Sequence, residues 1–202
     1  MVIVLATNNR DKVAEIKRIF NLPGVQLLTL EDFPGAPHPL EDGNTLEENA
    51  LKKAKEMAEF TGLPTIADDT GLEVDALGGK PGVCSSRFAG ERATYAQNVA
   101  RLLEEMAEVP DDKRNACFRC VAVYYSPSLQ IIEEGRIEGI ILRERRGNGG
   151  FGYDPVFYVP EEGKTFAELD IAEKNAISHR GQAFRRLAQA LTTQILAHNL
   201  NS

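Results

Sequence analysis

A chain of 202 residues, 43% hydrophobic and 26% charged, can bury a core within one domain and lacks the composition of a disordered or fibrous protein. With 30 acids against 23 bases the formal charge is −7, which argues against a nucleic-acid partner, because a basic face supplies most of that affinity. No apolar run approaches the ~20 residues that cross a bilayer, the apolar opening from Met1 to Ala6 is too short for a signal segment, and 3 cysteines without framework spacing fit a reducing compartment; the expectation is a cytoplasmic protein that does not engage membranes.

Residues 2–6 form a continuous apolar run, as in a strand buried on both faces. Thr7-Asn8-Asn9-Arg10 interrupts it, and Val13, Ile16, Ile19 and Phe20 then recur at helical spacing, predicting a helix over 11–20. Residues 25–30 read as a second strand, so the chain opens in the α/β manner. Residues 33–43 are rich in proline and glycine and form a loop. Thr45-Leu46-Glu47-Glu48 is a capping box, and Leu46, Ala50, Ala54 and Met57 continue a helical stripe until Gly62 and Pro64 end it. Residues 65–67 form a short strand that runs into Asp68-Asp69-Thr70-Gly71. A loop containing Gly78-Gly79-Lys80-Pro81-Gly82 follows. Thr94-Tyr95-Ala96-Gln97 opens another helix, with Val99, Leu102, Leu103 and Met106 inward. Residues 117–125 and 131–142 read as two long strands joined around Ser126-Pro127-Ser128. After the glycine-rich run at 147–155 comes a short strand at 156–158. A final helix runs from about residue 178 into the 190s, with Phe184, Leu187, Leu191 and Ile195 as its buried stripe. There is no internal repeat.

Four places could carry chemistry. Thr7, Asn8, Asn9 and Lys12 lie where a buried strand gives way to a helix, whose unpaired N–H groups and partial positive charge suit a polyphosphate; the alternative is a simple helix cap by Asn8 or Asn9. Asp68 and Asp69 are adjacent carboxylates, costly unless a cation or hydrogen bonds hold them. Alternation along a strand gives them different jobs. Hard oxygen ligands of this kind suit Mg²⁺, and Glu41 could supply a second carboxylate. Lys174, His179 and Arg180 cluster near the start of the last helix, where cations gain most from an anion or polar ligand. The run Gly147-Asn148-Gly149-Gly150-Phe151-Gly152-Tyr153-Asp154-Pro155 is expensive chain to order, which points to a loop whose backbone closely approaches a ligand. Cys117 and Cys120 are three apart on a strand and so cannot share a metal.

Taken together, Thr7-Asn8-x-x-x-Lys12, Ala67-Asp68-Asp69-Thr70-Gly71-Leu72, Leu77-Gly78-Gly79-x-Pro81-Gly82, Ser86-Arg87-Phe88, Gly149-Gly150-Phe151-Gly152-Tyr153-Asp154-Pro155 and Ile177-Ser178-His179-Arg180 resemble, in order and over nearly the whole chain, the motifs of the inosine triphosphate pyrophosphatases, the Ham1-like proteins. The bacterial branch is the closer likeness; Asn9 is the one motif position that departs, at a place where the family varies. The resemblance implies a single domain over 1–202, α/β in class: a long, twisted mixed sheet flanked by helices, in two lobes with a central cleft. It implies a homodimer that uses Mg²⁺ to hydrolyse purine nucleoside triphosphates of the ITP, dITP and XTP type to the monophosphate and pyrophosphate, so cleansing the nucleotide pool. On this likeness Thr7, Asn8, Asn9, Lys12 and Thr70 would bind the substrate on its phosphate side. Asp69 would hold the metal or act as general base, Glu41 would share the metal, and Asp68 would be a support residue. Phe151 would stack on the purine, with Gly152 and Tyr153 beside it, and Asp154, Lys174, His179 and Arg180 would read its edge. A donor such as Arg180 or a backbone N–H would favour a 6-oxo over a 6-amino purine. A non-enzymatic nucleotide-binding module, or a hydrolase of modified pyrimidine nucleotides, is the alternative.

Overall fold

Ile3, Val4 and Leu5 expose no surface in the computed structural model, which describes residues 1–37 and 39–200. The reason is the position of their strand, β1 (Val2–Leu5), which has a parallel neighbour on each side, β2 (Gln26–Thr29) and β3 (Thr65–Val74). A strand covered this way needs apolar residues on both faces. The register sets Val4 opposite Thr65 and Leu5 opposite Ile66. Beyond β3 come β5 (Asn115–Ser126), β6 (Leu129–Ile141), β7 (Phe157–Val159) and β8 (Lys164–Thr165), and the two-residue β4 (Pro81–Gly82) pairs with β3. The pairs β6–β7, β7–β8 and β3–β4 are antiparallel, so the eight-stranded sheet is mixed. Among the described residues five α-helices complete the α/β architecture: α1 (Arg10–Ile19), α2 (Leu46–Thr61), α3 (Tyr95–Glu105), α4 (Ile171–Ile177) and α5 (His179–Leu200). Among the described residues no helix is long and apolar enough to cross a membrane.

The chain divides into two compact units, each assembled from separate segments. The first holds Met1–Asp69, Cys120–Gly135 and the chain from Arg180 onward. Its core is Ile3, Leu5, Ile16, Phe20, Ile66, Tyr124, Phe184, Leu187 and Leu191, with the rings of Phe20 and Phe184 edge to face at 6.3 Å. The second holds Thr70–Arg119 and Arg136–His179, packed around Leu72, Val99, Leu102, Met106, Phe118, Phe157 and Phe166. In that second core Arg114 is almost fully buried, and its guanidinium donates to four carbonyls: Ile141 (2.7 Å), Met106 (2.7 Å), Val109 (3.2 Å) and Leu142 (3.1 Å). It thereby caps the C-terminal end of α3, where carbonyls lack helical partners and a cation is favoured.

Three differences from the sequence expectation bear on function. First, β3 does not stop at Ala67 but continues through Asp68, Asp69, Thr70 and Gly71 to Val74. Acids are tolerated inside a buried strand here because each has polar partners, described below. Second, residues 171–177 form a separate helix, α4, started by a capping box between Asp170 and Glu173; two turns are too short to show a stripe. Third, Ser178 ends α4, its N–H bonded to the Lys174 carbonyl at 2.8 Å, so Lys174 lies in the last turn of α4, where a cation is favoured, and not at the start of α5.

Candidate active site

At the junction of β1 and α1 the side chain of Asn9 caps the helix. Its Oδ1 accepts from the N–H groups of Asp11 at 3.0 Å and Lys12 at 3.2 Å, and its own N–H donates to Thr7 Oγ1 at 3.2 Å. Asn8, between them, is exposed. One turn into α1, Lys12 Nζ lies 2.9 Å from Oδ2 of Asp68, a carboxylate with no exposed surface. Arg180 Nε lies 3.5 Å from the same oxygen, and Arg180 Nη1 pairs with Glu15 Oε2 at 2.6 Å. Glu15 and Arg180 are themselves 4% and 2% exposed, so four buried or nearly buried charges alternate in sign: Lys12, Asp68, Arg180, Glu15. Burial works to raise the Asp68 carboxyl, but Lys12, Arg180 and Lys53 more than reverse it and hold it well below the usual carboxylate range. The cation near the start of α5 thus has its anions supplied by the protein. Arg180, expected to read a base edge, is engaged with Glu15 and Asp68.

Asp69 has different partners, as strand alternation predicts for neighbouring residues. Its Oδ1 lies 3.2 Å from Lys53 Nζ, and its Oδ2 accepts from Asn49 Nδ2 at 3.1 Å. The same ammonium reaches Glu41 Oε1 at 2.5 Å, so one lysine bridges two carboxylates from different loops and strands. Asn49 also ties down the chain beside Glu41, its Oδ1 accepting from the N–H of Gly43 at 2.8 Å. A methyl at Gly43 would come within 2.7 Å of that oxygen. Burial is the chief influence on Asp69 and raises its carboxyl despite Lys53 and Lys12. At Glu41 burial also pushes upward, but Lys53 prevails and the carboxyl is lowered. These two carboxylates are hard oxygen donors already gathered around a cation. Among the described residues no three His, Cys, Asp or Glu side chains converge as a complete metal shell. Mg²⁺ does not need one, since it commonly takes one or two carboxylates and completes its shell with water and phosphate oxygens. The pair Glu41 and Asp69 fits that ion.

The second unit carries the other candidates. Buried Asp154 accepts from the Phe151 N–H at 2.8 Å and pairs with Lys174 Nζ at 2.5 Å through the same Oδ2. The Lys174 ammonium sits 4.7 Å from the centre of the half-buried Phe151 ring and 5.3 Å from that of Phe166. Tyr153 is buried and donates its hydroxyl to the Ser85 carbonyl at 2.9 Å, a packing link and not an exposed ligand group. His179 is stacked on Phe118, with centroids at 4.6 Å, and lies over Phe166 at 6.1 Å. Thr70 follows Asp69 within β3 and is half-buried.

The glycines around Phe151 serve the protein's own packing more than the sequence implies. Gly147, at φ +80°, leaves only 2.5 Å between a hypothetical methyl and the backbone of Ala167. Gly150, at φ +65°, would drive a methyl into the Asp154 carboxylate. Gly152, at φ +60°, has nothing within 4 Å of such a methyl and is the one glycine of this group beside which open space remains.

Sequence patterns did not single out Lys53, Asn49 or Glu15. The signal was present for the first two: Leu46, Asn49, Ala50, Lys53, Ala54 and Met57 form one buried helical stripe, in which two polar residues one turn apart interrupt the apolar set. Cys117 and Cys120 go to separate carboxylates, Glu73 (3.7 Å) and Asp68 (3.8 Å), consistent with the dismissal of a shared metal, and burial pushes the Cys117 thiol up to about 12.

The Ham1 family profile matches residues 3–190. The chain belongs to the Ham1 family. It is 53% identical over 192 residues to the dITP/XTP pyrophosphatase of Desulforamulus reducens, covering 95% of this chain and 96% of the relative. It is 51% identical over 193 residues to the dITP/XTP pyrophosphatase of Geobacter sulfurreducens, covering 95% and 97%. A solved HAM1 protein from Coxiella burnetii superposes with a TM-score of 0.87 at 45% identity, covering 96% of this chain and 99% of that one. The Ham1 motifs therefore account for nearly the full length of the polypeptide.

Proposed function

We propose that this Ham1 protein is a nucleoside-triphosphate pyrophosphatase. It acts on purine nucleotides of the ITP, dITP and XTP type and releases the monophosphate and pyrophosphate with the help of Mg²⁺. The observation that carries the proposal is the Glu41–Lys53–Asp69 bridge, a buried carboxylate and a half-buried one gathered around a single ammonium. It occurs in a chain half identical to proteins named dITP/XTP pyrophosphatase.

In this mechanism Thr7, Asn8 and Lys12, at the junction of β1 and α1, receive the triphosphate, favoured there by the positive end of the helix. Asp69 takes a proton from the water that attacks the α-phosphorus. The new P–O bond forms to that water and the bond to the pyrophosphate oxygen breaks. Asp69 suits this work better than Asp68, whose charge is matched by Lys12 and Arg180 and whose carboxyl resists protonation. Lys53 and Asn49 keep the Asp69 carboxylate oriented. Glu41 and Asp69 would hold Mg²⁺, which when bound neutralises charge on the phosphate oxygens. On the base side, Phe151 supplies a stacking face. Arg180 is paired with Glu15 and Asp68 and Lys174 with Asp154, so the donor that would face a 6-oxo group is a backbone N–H. An adenine would present its 6-amino donor to that N–H, a mismatch costing about 1–3 kcal/mol. Homodimeric assembly and a cytoplasmic location belong to the same proposal through the family resemblance, and light scattering coupled to size exclusion tests the former.

The decisive measurement is pyrophosphate release from dITP and XTP with product identification, with and without Mg²⁺. Asp69→Asn is expected to abolish turnover in a folded protein, and near-normal turnover in that variant would sink the assigned role. Faster turnover of modified pyrimidine nucleotides than of dITP would replace the substrate class.

A further inference from the structure

Tyr95 is one of the few large apolar side chains left exposed among the described residues, at 43%. It is the first residue of α3, directly after the Thr94 cap, and its ring lies 5.8 Å from that of Phe151 at an interplanar angle of 44°. That spacing is a closed aromatic contact. The contact is built by the fold. Thr94 and Gln97 form a reciprocal capping box that fixes the start of α3. Three residues after Tyr95, Asn98 Nδ2 donates to the Ser86 carbonyl at 2.9 Å, and Asn98 Oδ1 accepts from the Ala89 N–H at 2.8 Å. Two residues after Phe151, Tyr153 donates to the Ser85 carbonyl at 2.9 Å. Two consecutive carbonyls, Ser85 and Ser86, therefore tether both ring-bearing segments to one short turn.

The two rings differ in exposure, Phe151 half-buried and Tyr95 exposed. Phe151 is held through its backbone by Asp154 and has the Lys174 ammonium against its ring. Tyr95 projects from a rigid helix start into solvent. We infer that Tyr95 is a specificity-determining residue, the outer aromatic wall that closes on a purine base stacked against Phe151. This rests on the nucleotide reading of the Phe151–Lys174 group given above. A flat base between two rings needs planes about 7 Å apart, two contacts of about 3.5 Å each. The Tyr95 ring, tilted 44° to Phe151, must therefore turn toward parallel and stand about 7 Å from it to admit the base. The Tyr95 ring lies against Phe151, so the slot selects ligands whose stacking replaces the Tyr95–Phe151 contact. Extended purines with strong stacking do so best.

The test compares the parent, Tyr95→Ala and Tyr95→Phe in three assays: steady-state hydrolysis of dITP, calorimetric binding of IMP, and competition by inorganic tripolyphosphate with Mg²⁺. Removing one aromatic partner from a base costs about 1–3 kcal/mol, or about 5- to 150-fold. Tyr95→Ala is expected to raise KM for dITP and Kd for IMP at least about fivefold, at the lower end of that range, with kcat within twofold. Tyr95→Phe restores both, because the ring and not the hydroxyl does the work, and tripolyphosphate inhibits all three proteins equally. The inference is overturned if Tyr95→Ala leaves IMP affinity within twofold of the parent, or if it weakens tripolyphosphate as much as IMP, which would signal general damage. A parent that binds IMP but hydrolyses no triphosphate would overturn the proposed function and leave the Tyr95 arm standing on the binding data.

Discussion

Replacing Gly150 by alanine tests how the loop around Phe151 is built. Two costs add. At φ +65° a residue with a Cβ pays about 1–2 kcal/mol for the left-handed conformation. The methyl would also overlap Asp154 Oδ2, which holds both the Phe151 N–H and the Lys174 ammonium. Pushing that oxygen aside leaves buried donors without their acceptor, at about 1–3 kcal/mol. The sum is about 2–5 kcal/mol. Gly152→Ala is the matched control: at φ +60° it has a similar backbone cost but nothing within 4 Å to collide with. Urea unfolding followed by circular dichroism should place Gly152→Ala about 1–2 kcal/mol below the parent and Gly150→Ala a further 1–3 kcal/mol lower. Gly150→Ala should also lose affinity for IMP while keeping its inhibition by tripolyphosphate. Equal destabilisation by the two substitutions would refute the claim that Gly150 is required by the Asp154 carboxylate.

Lys53→Met leaves Glu41 and Asp69 facing each other without their shared cation, a loss of about 3–5 kcal/mol for a broken buried pair. Because a dication can replace the ammonium between them, Mg²⁺ should raise the melting temperature of this variant more than that of the parent. An equal response in both proteins would count against Glu41 and Asp69 as metal holders. Arg114→Met strips the guanidinium from four carbonyls, and at about 1–3 kcal/mol for each buried polar group left unsatisfied the loss should exceed about 3 kcal/mol. Arg114→Lys should not restore it, lacking the planar fork; thermal unfolding decides. Asp68 is held below its ordinary value of 3.8, so the unfolded chain takes up that proton first as acid is added. Its contribution is full above that value and is lost as the pH falls through it towards the folded value. The unfolding midpoint should therefore decline between about pH 5 and 3, and decline less steeply in Asp68→Asn.

What could be read in advance follows from the range of the interactions. Local patterns carried the elements: the apolar run at residues 2–6 became β1, and the capping boxes at Thr45 and Thr94 became the starts of α2 and α3. Pairing between distant residues was not legible. Lys53 and Asp69 are 16 residues apart and Glu15 and Arg180 are 165 apart, so nothing in either neighbourhood announces the partner. From sequence alone the bases near residue 180 call for a ligand anion, yet for Arg180 the chain supplies two of its own, Glu15 and Asp68. The glycine loop showed from composition that something approaches the backbone closely. Only the fold reveals that at Gly147 this is the Ala167 backbone and at Gly150 the Asp154 carboxylate.

The buried ionic groups of the first unit have a consequence for what can bind there. Lys12, Lys53 and Arg180 contribute three positive charges and Glu15, Glu41, Asp68 and Asp69 four negative ones, a formal balance of −1. Each base is already committed to an acid, so this part of the protein has no surplus attraction for a bare polyanion. A polyphosphate that arrives carrying its own divalent cation would face no such barrier if, as proposed, Glu41 and Asp69 hold that cation. The metal–nucleotide complex, and not the free nucleotide, would then be the species that sets the saturation curve. At fixed total nucleotide, activity should follow the concentration of that complex as the metal is titrated.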